Sequence, residues 1–482
     1  MRKIFSFIAI MFCISANAQI TWNMGMNIST NTNGNMHPRI ALDRLGNPLV
    51  VWGKLSDESV YFSKWNGTMF TTPVKLNPSW MTIATASWQS ADIASHGDTV
   101  YVVVKRTPET SDTNRIFIFT SLNGGSSFNA PIELGFIADS ISRFPTVTTD
   151  ATGNPIVAYM KFNNSFMDSR WVVAKSADYG NTFSTDVKAS GWGSSAEVCD
   201  CCPGAIVSSG NKTAMLYRDN NSNIRDIWTG ISNNNANTFA SGFEVDNNNW
   251  MVMSCPSSGP DGVIIGDTLY STFMSSGSGA YRTYLSKSSI STGVVSSLTN
   301  LTGTITGLSQ QNYPRIATDG NAMAIVWKQN VSGVAQLPIL FTNDITNGFS
   351  AAYDTVDLDN ITNADIAMSN GKLYVVWQDD GSGTVKYRSG TYNQSTTGLS
   401  PLSFGEVGVR LYPNPVLSTL TLQSNIDLQN AEIKIFNLVG EKVLTLHKTS
   451  SPALDVAALT NGIYFLQVTA NNKFYTQKFI KQ

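Results

Sequence analysis

The octet Ser176-Ala177-Asp178-Tyr179-Gly180-Asn181-Thr182-Phe183 recurs along the chain at near-constant spacing, and this restricts the fold more than any other feature. Its Ser and Asp side chains can bond turn amides, its Gly supplies positive φ, and its Phe can insert into a core beneath. Ser121 to Phe128 is a second good copy, with Asn123 in the Asp place and Gly125 in the Gly place. Ser63 to Phe70 and Ser232 to Phe239 are degraded copies, and Thr342 to Phe349 keeps Asp344 and the final Phe. The starts at 63, 121, 176, 232 and 342 lie 58, 55, 56 and 110 residues apart, so one more is expected near 286. Ser286-Lys287-Ser288 stands there with the motif eroded. A turn repeating at this interval implies a radial array of similar units.

Each unit reads as four strands in a fixed order: an apolar strand ending in a turn, a second rich in Val, Ile, Trp or Tyr, a third leading into the octet, and a fourth beyond it. Pro38 to Asp43, Pro48 to Lys54, Val60 to Trp65 and Pro73 to Leu76 make up the first. The seventh, Ala364 to Arg388, supplies three strands, and the strand-like stretch Ile20 to Met26 is free to complete it, which would leave no open sheet edge. The octet resembles the Asp-box of sialidase-type β-propellers, carried here by Ser121, Asn123, Gly125 and Phe128 and by Ser176, Asp178, Gly180 and Phe183. The expected fold is all-β: a seven-bladed sialidase-like propeller over 19–389, with six blades as the alternative because sialidases proper have six.

Residues 1–18 have the build of a secretory signal peptide: Arg2-Lys3, the apolar Ile4 to Ile14, then Ala16-Asn17-Ala18. No other apolar run approaches the roughly 18–20 residues that cross a bilayer as a helix, so a membrane-spanning chain is not expected. Without Arg2 and Lys3 there are 30 basic and 34 acidic residues, a net charge of −4, which offers no electrostatic case for nucleic acid. Residues 390–406 read as a linker rich in Ser, Thr and Gly. From 407 to 482 the texture changes to alternating strands with Gly and Asn turns, the pattern of a small β-sandwich. This stretch resembles the C-terminal sorting domain (type A) of the type IX, or Por, secretion system of Bacteroidota. Arg410-Leu411-Tyr412-Pro413-Asn414-Pro415, Asn461-Gly462-Ile463-Tyr464 and the basic end at Lys481 carry the likeness. It implies the type IX machinery as partner and a secreted or surface-attached product.

In propellers of the resembled kind the Asp-box turns lie away from the ligand face, so the opposite rim is the expected site. Lys54, Lys105-Arg106, Lys161, Arg218-Asp219, Lys328 and Asp379-Asp380 end the second strands there. Arg218 and Asp219, with Arg225 and Asp226 across one short loop, are the densest charged cluster and could clamp a ligand or pair with each other. Arg218, Asp219, Arg225, Asp226, Arg106 and Lys328 are therefore the candidate binders of a glycan or other anionic ligand. The sialidase chemistry implied by the resemblance lacks its opening motif: Pro38-Arg39-Ile40 has the wrong order, and Arg143-Phe144-Pro145 falls in the third unit. A glycoside hydrolase and an adhesive surface protein, its rim filled by aromatics such as Trp88 and Trp192, stay open as alternatives.

Cys199, Cys201, Cys202 and Cys255 are all disulfide candidates in an exported chain. Cys202-Pro203 and Cys255-Pro256 stand 53 residues apart, one repeat, so Cys202 and Cys255 occupy equivalent strand starts and suit a disulfide, although four cysteines allow three pairings. The other reading is a soft-metal thiolate site helped by Glu197, Asp200 or His37. C-x-C-C matches no paired zinc knuckle and the chain has 3 His, so no metal or cofactor is assigned.

Overall fold

The computed structural model describes residues 19–29, 34–109, 115–134, 140–193, 197–303, 305–349, 352–394, 409–424, 431–438, 440–447, 453–470 and 473–482. The expected signal peptide and most of the expected linker lie outside these residues. The chain divides into two compact units, one up to Ser395 and one from Thr396.

The first unit is built of antiparallel sheets of four or five strands, seven among the described residues. Asn35–Leu42, Pro48–Lys54, Ser59–Lys64 and Val74–Lys75 form the first in chain order. In the last, Ile361–Ser369, Lys372–Asp379 and Thr384–Thr391 pair in sequence, and the N-terminal strands Thr21–Trp22 and Met26–Asn27 add to the outer edge of Thr384–Thr391. That third strand passes residue 389, the expected domain end, by two residues because Gly390 and Thr391 pair with Trp22 and Thr21.

Second strands such as Thr99–Thr107 are buried on both faces, which explains their unbroken apolar runs. Seven apolar clusters fill the spaces between consecutive sheets. One unites Leu49, Val51 and Phe62 of the first sheet with Val102 and Phe119 of the second. Another unites Val376 and Tyr387 of the last sheet with Val50 and Trp52 of the first. Asn35–Leu42 touches both Asp92–His96 of the second sheet and Ile361–Ser369 of the last.

The octet turns join third strands to fourth strands. Ser176 Oγ accepts from Gly180 N at 2.8 Å, and Asp178 Oδ1 accepts from Thr182 N at 2.8 Å. Ser121 Oγ and Gly125 N repeat the first bond at 2.9 Å, and Asn123 Oδ1 takes Ser127 N at 2.9 Å. Gly125 sits at φ 74°, and a Cβ there would come within 2.4 Å of the Phe62 ring on the preceding sheet. Phe128 meets the same ring edge-on at 5.0 Å, so each turn also helps join two sheets. The degraded copy at Ser232 keeps the geometry with Ala236 at φ 58°, a conformation a Cβ makes costly.

The second unit consists of a three-stranded and a four-stranded antiparallel sheet around one apolar core that includes Leu420, Ile433, Ile435, Leu454, Leu466 and Phe479. No helix among the described residues is long and apolar enough to cross a membrane.

Asp365 bonds the last sheet to the first: its Oδ2 accepts from Ile40 N at 3.0 Å, while Oδ1 lies 2.9 Å from Arg315 Nε. Asp365→Ala should therefore cost about 3 kcal/mol of stability, since it strands part of a buried cation and a strand amide together. Urea unfolding followed by circular dichroism measures this; a loss below about 1 kcal/mol contradicts it.

Candidate functional site

The first strands of all seven sheets begin alike: His37-Pro38-Arg39, Ser90-Ala91-Asp92, Phe144-Pro145-Thr146, Cys202-Pro203-Gly204, Gly259-Pro260-Asp261, Tyr313-Pro314-Arg315 and Asn363-Ala364-Asp365. These starts converge on one depression, with lining residues from every sheet. Register shifts precede Arg39, Thr146, Arg315 and Ala364, so the strands bulge where they meet it. His37, Phe144 and Tyr313 sit there in the left-handed region at φ 53°, 52° and 52°, a cost of about 1 kcal/mol each that the packed first strands sustain. The site lies at the end away from the octet turns, because Arg143 pairs with Met160 near the close of its neighbour strand, whereas Ser176 bonds Pro155 at that strand's start.

The charges are unevenly matched. Arg315 Nε is 2.9 Å from Asp365 Oδ1 and 3.3 Å from Asp261 Oδ2; burial disfavours its charge, but the two carboxylates outweigh burial and raise its pKa. Asp92 Oδ2 accepts from Thr146 Oγ1 at 2.8 Å and Val147 N at 3.0 Å, and Asp261 Oδ2 accepts from Ile316 N at 3.0 Å. Arg39, by contrast, has one hydrogen bond, Nη1 to Pro38 O at 2.8 Å, and no carboxylate within ion-pair distance among the described residues. Burial first, then repulsion from Arg315, lowers its pKa to about 10. Burial, followed by the Arg39 charge, holds His37 far below the ordinary imidazole value, so it is neutral at pH 7.

The sequence-predicted binders are placed elsewhere. Arg218 is 1% exposed and spends its guanidinium on backbone: Nε to Ser258 O at 3.2 Å, Nη1 to Arg225 O at 2.6 Å and Nη2 to Met274 O at 2.8 Å. Arg218, Asp219, Arg225 and Asp226 are thus a buried knot and not a rim clamp. Their loop is covered by Trp250, whose N donates to Asp226 Oδ1 at 3.0 Å and whose ring lies 5.1 Å from the Arg218 guanidinium. Arg106 stacks over Trp80 at 5.2 Å, and Lys328 is half-buried. Lys105 pairs with Glu109, which Arg143 also grips at 2.7 and 2.6 Å; burial opposes the Glu109 charge, but these bonds outweigh it and hold the pKa at about 2. Lys161 pairs with Asp186 and Asp379 with Lys386, while Trp192 packs over Gly230 and Gly242. Trp88 is 46% exposed beside the depression.

The disulfide joins Cys201, not Cys202, to Cys255, with Cα atoms 6.0 Å apart. Cys202 turns inward and lies with Cys199 as a buried, reduced pair. Equivalent repeat positions align backbones, but the tight 199–202 turn decides which sulfur faces the neighbouring loop. The turns at Ser121, Asn123 and Gly125 and at Ser176, Asp178 and Gly180 hold the hydrogen bonds given above, with Phe128 and Phe183 partly buried against the neighbouring cores. Sequence reasoning did not select Arg39 and Arg315, although Pro38-Arg39-Ile40 and Pro314-Arg315-Ile316 in the same repeat position are a readable signal.

Around the knot, burial raises Asp219, Glu244 and Asp246 to about 7 each, with help from Asp226 and, for Asp219, the neighbouring Cys199. Both Asp219 carboxylate oxygens are buried without a hydrogen-bond partner among the described residues. These folded-state values stand above the unfolded ones of about 4, so the folded chain binds more protons and loses stability as pH climbs from about 4 through 7. Thermal melts should accordingly show a higher Tm at pH 5.5 than at pH 8, and Asp246→Asn should flatten that difference. A Tm rising from pH 5.5 to 8 would contradict the assignment.

Residues 410–482 match the family described as the secretion system C-terminal sorting domain. No curated protein matches the chain. Among solved structures, the chain is similar to a protein of unknown function from Dyadobacter fermentans, at 9% identity and a TM-score of 0.50, over 78% of this chain and 100% of that one. It is also similar to a Hadza microbial sialidase, at 10% identity, TM-score 0.44, over 76% of this chain and 68% of that one. An α-L-arabinofuranosidase of Fusarium graminearum is similar at 12% identity, TM-score 0.45, over 68% and 99% respectively. The C-terminal unit is a secretion system sorting domain of the Por type, and the chain it ends is handled by the type IX machinery and delivered as a secreted or outer-surface protein.

Proposed function

We propose that this is an exported, sialidase-like propeller protein of seven blades that binds the acid group of an anionic glycan at the axial depression, with residues 1–18 as its export signal. Support for closure comes from the seven inter-sheet clusters, the last of which joins Val376 to Val50, and from the Asp365 to Ile40 bond. The binding reading rests on Arg39, a cation lining the depression with a single hydrogen bond among the described residues. A guanidinium fork of this kind matches a carboxylate or sulfate in two parallel bonds. The depression has a volume of about 60 Å³, enough to admit an acid group beside Arg39. The sugar ring would lie beside half-exposed Trp88, which offers an apolar face.

Binding is favoured over hydrolysis by the carboxylate inventory. Glycoside cleavage takes two carboxyl groups facing each other across the bond in most families, and a tyrosine nucleophile working with carboxylates in the sialidase type. Asp92 is the one carboxylate among the described residues lining the depression, and Thr146 and Val147 already occupy it. Isothermal titration with glucuronic acid, N-acetylneuraminic acid and inorganic sulfate tests the reading. At least one acid should bind and weaken with added salt, glucose should not, and Arg39→Ala should weaken binding about tenfold or more, with Arg39→Lys in between. No binding by any of these acids, or binding unchanged in Arg39→Ala, overturns it.

A further inference from the structure

Four sulfurs form a continuous chain from the interior to solvent beside the wall that Pro203 and Gly204 give the depression. Cys202 Sγ lies 2.8 Å from Cys199 Sγ, and Cys199 Sγ lies 3.6 Å from Cys201 Sγ, which is bonded to Cys255. Cys199 and Cys202 are fully buried, Cys201 is half-buried and Cys255 is exposed. Arg225 Nη1 donates to Cys199 Sγ at 3.0 Å, and Cys199 N is tied to Arg218 O at 3.0 Å. Arg225 thus sets positive charge directly against one sulfur, and Arg218 holds the backbone on which both stand. Cys199 and Cys202 carry the C-x-x-C spacing, and an external thiol has no direct path to either.

We propose that these sulfurs are a thiol–disulfide exchange centre, in which the outer Cys201–Cys255 disulfide and the inner Cys199/Cys202 dithiol interconvert and Cys255 is the group presented to external disulfides and thiols. The Cys199 thiolate attacks Cys201 Sγ, forming the Cys199–Cys201 bond and releasing Cys255 as a thiolate into solvent, where water protonates it. Cys202 then attacks Cys199 Sγ and its proton passes to the departing Cys201 sulfur, forming the Cys199–Cys202 bond and releasing Cys201 as a thiol. The two steps conserve one disulfide and two thiols. The freed Cys201/Cys255 pair reduces an external disulfide R–S–S–R to two R–SH and regains its own bond. External thiols reset the centre by the reverse path.

The hydrogen bond between Cys199 and Cys202 first, with the charges of Arg225 and Arg218, outweighs burial and lowers the Cys199 pKa below the ordinary thiol value, which favours Cys199 as the attacking sulfur. Burial pushes Cys202 up, which keeps the second thiol protonated until the first step is made. In an oxidising exterior a lone structural disulfide needs no reduced partner within van der Waals reach, whereas an exchange centre does.

Native-state trapping tests this. The full chain is incubated at pH 7.5 with iodoacetamide and no added thiol, quenched in acid, unfolded, labelled with N-ethylmaleimide, and mapped by mass spectrometry. The expected result is carbamidomethyl Cys255 accompanied by a disulfide at Cys199, with trapping at least tenfold slower in Cys199→Ser. Arg225→Gln keeps every sulfur and should move the midpoint of the trapping rate to higher pH, a shift that a purely structural role for Arg225 would not produce. Cys255 left unlabelled in the wild type, or labelled equally fast in Cys199→Ser, overturns the proposal, as does a pH midpoint unchanged in Arg225→Gln.

Discussion

Neighbouring sheets hold together here because their first strands are fastened to one another, and buried side chains at a single repeat position supply much of that fastening. The residue after Pro or Ala at each strand start is Arg39, Asp92, Thr146, Gly204, Asp261, Arg315 or Asp365. Three of these are carboxylates, and each accepts a hydrogen bond from the backbone of the following sheet, at Val147, Ile316 and Ile40. A strand amide that meets no partner in its own ladder is thereby satisfied by a charge that is itself held by an arginine or a threonine. Arg315, between Asp261 and Asp365, neutralises part of the resulting negative field. Arg39 has no such mate, and the chemistry proposed for the depression follows from that imbalance.

The same fastening positions the sulfurs. Cys202 precedes Pro203 at the start of the fourth sheet's first strand, so the segment from Cys199 to Cys202 is pinned beside the depression. Cys255 lies on the loop entering the next sheet, one repeat further on, and the two loops meet because consecutive inner strands do. Arg218, held by three backbone carbonyls, and Arg225, held at its amide by Trp250 O, fix the cationic side of this sulfur chain. Packing, electrostatics and possible reactivity therefore share one cause: adjacent inner strands brought within side-chain reach.

Much of the fold was legible because its signals are local. The octet specifies its own turn, since Ser176, Asp178 and Gly180 bond within eight residues, and the Phe that ends it marks the buried side. The candidate site was less legible. Arg218-Asp219 and Arg225-Asp226 read as an exposed clamp, because charges flanking a short loop usually face water. Trp250, some 25 residues away, folds over them and converts surface charge into an interior network, with carboxylates raised to about 7 as the result. Nothing within the loop announces that cover. Likewise, repeat spacing led to Cys202 where the bonded sulfur belongs to Cys201, because spacing aligns Cα positions and says nothing of side-chain direction.

The amino-acid sequence by itself determined the all-β class, the unit length, the turn chemistry and the change of texture that marks the sorting domain. Each depends on residues near one another in the chain, where hydrogen-bonding patterns and hydrophobic alternation act over a few positions. Only the tertiary structure decided which charges were buried, which cation stayed without a carboxylate, and which cysteine met Cys255. Those outcomes depend on residues tens to hundreds of positions apart, such as Asp365 with Ile40 and Arg315, whose encounter is set by how whole sheets pack against one another.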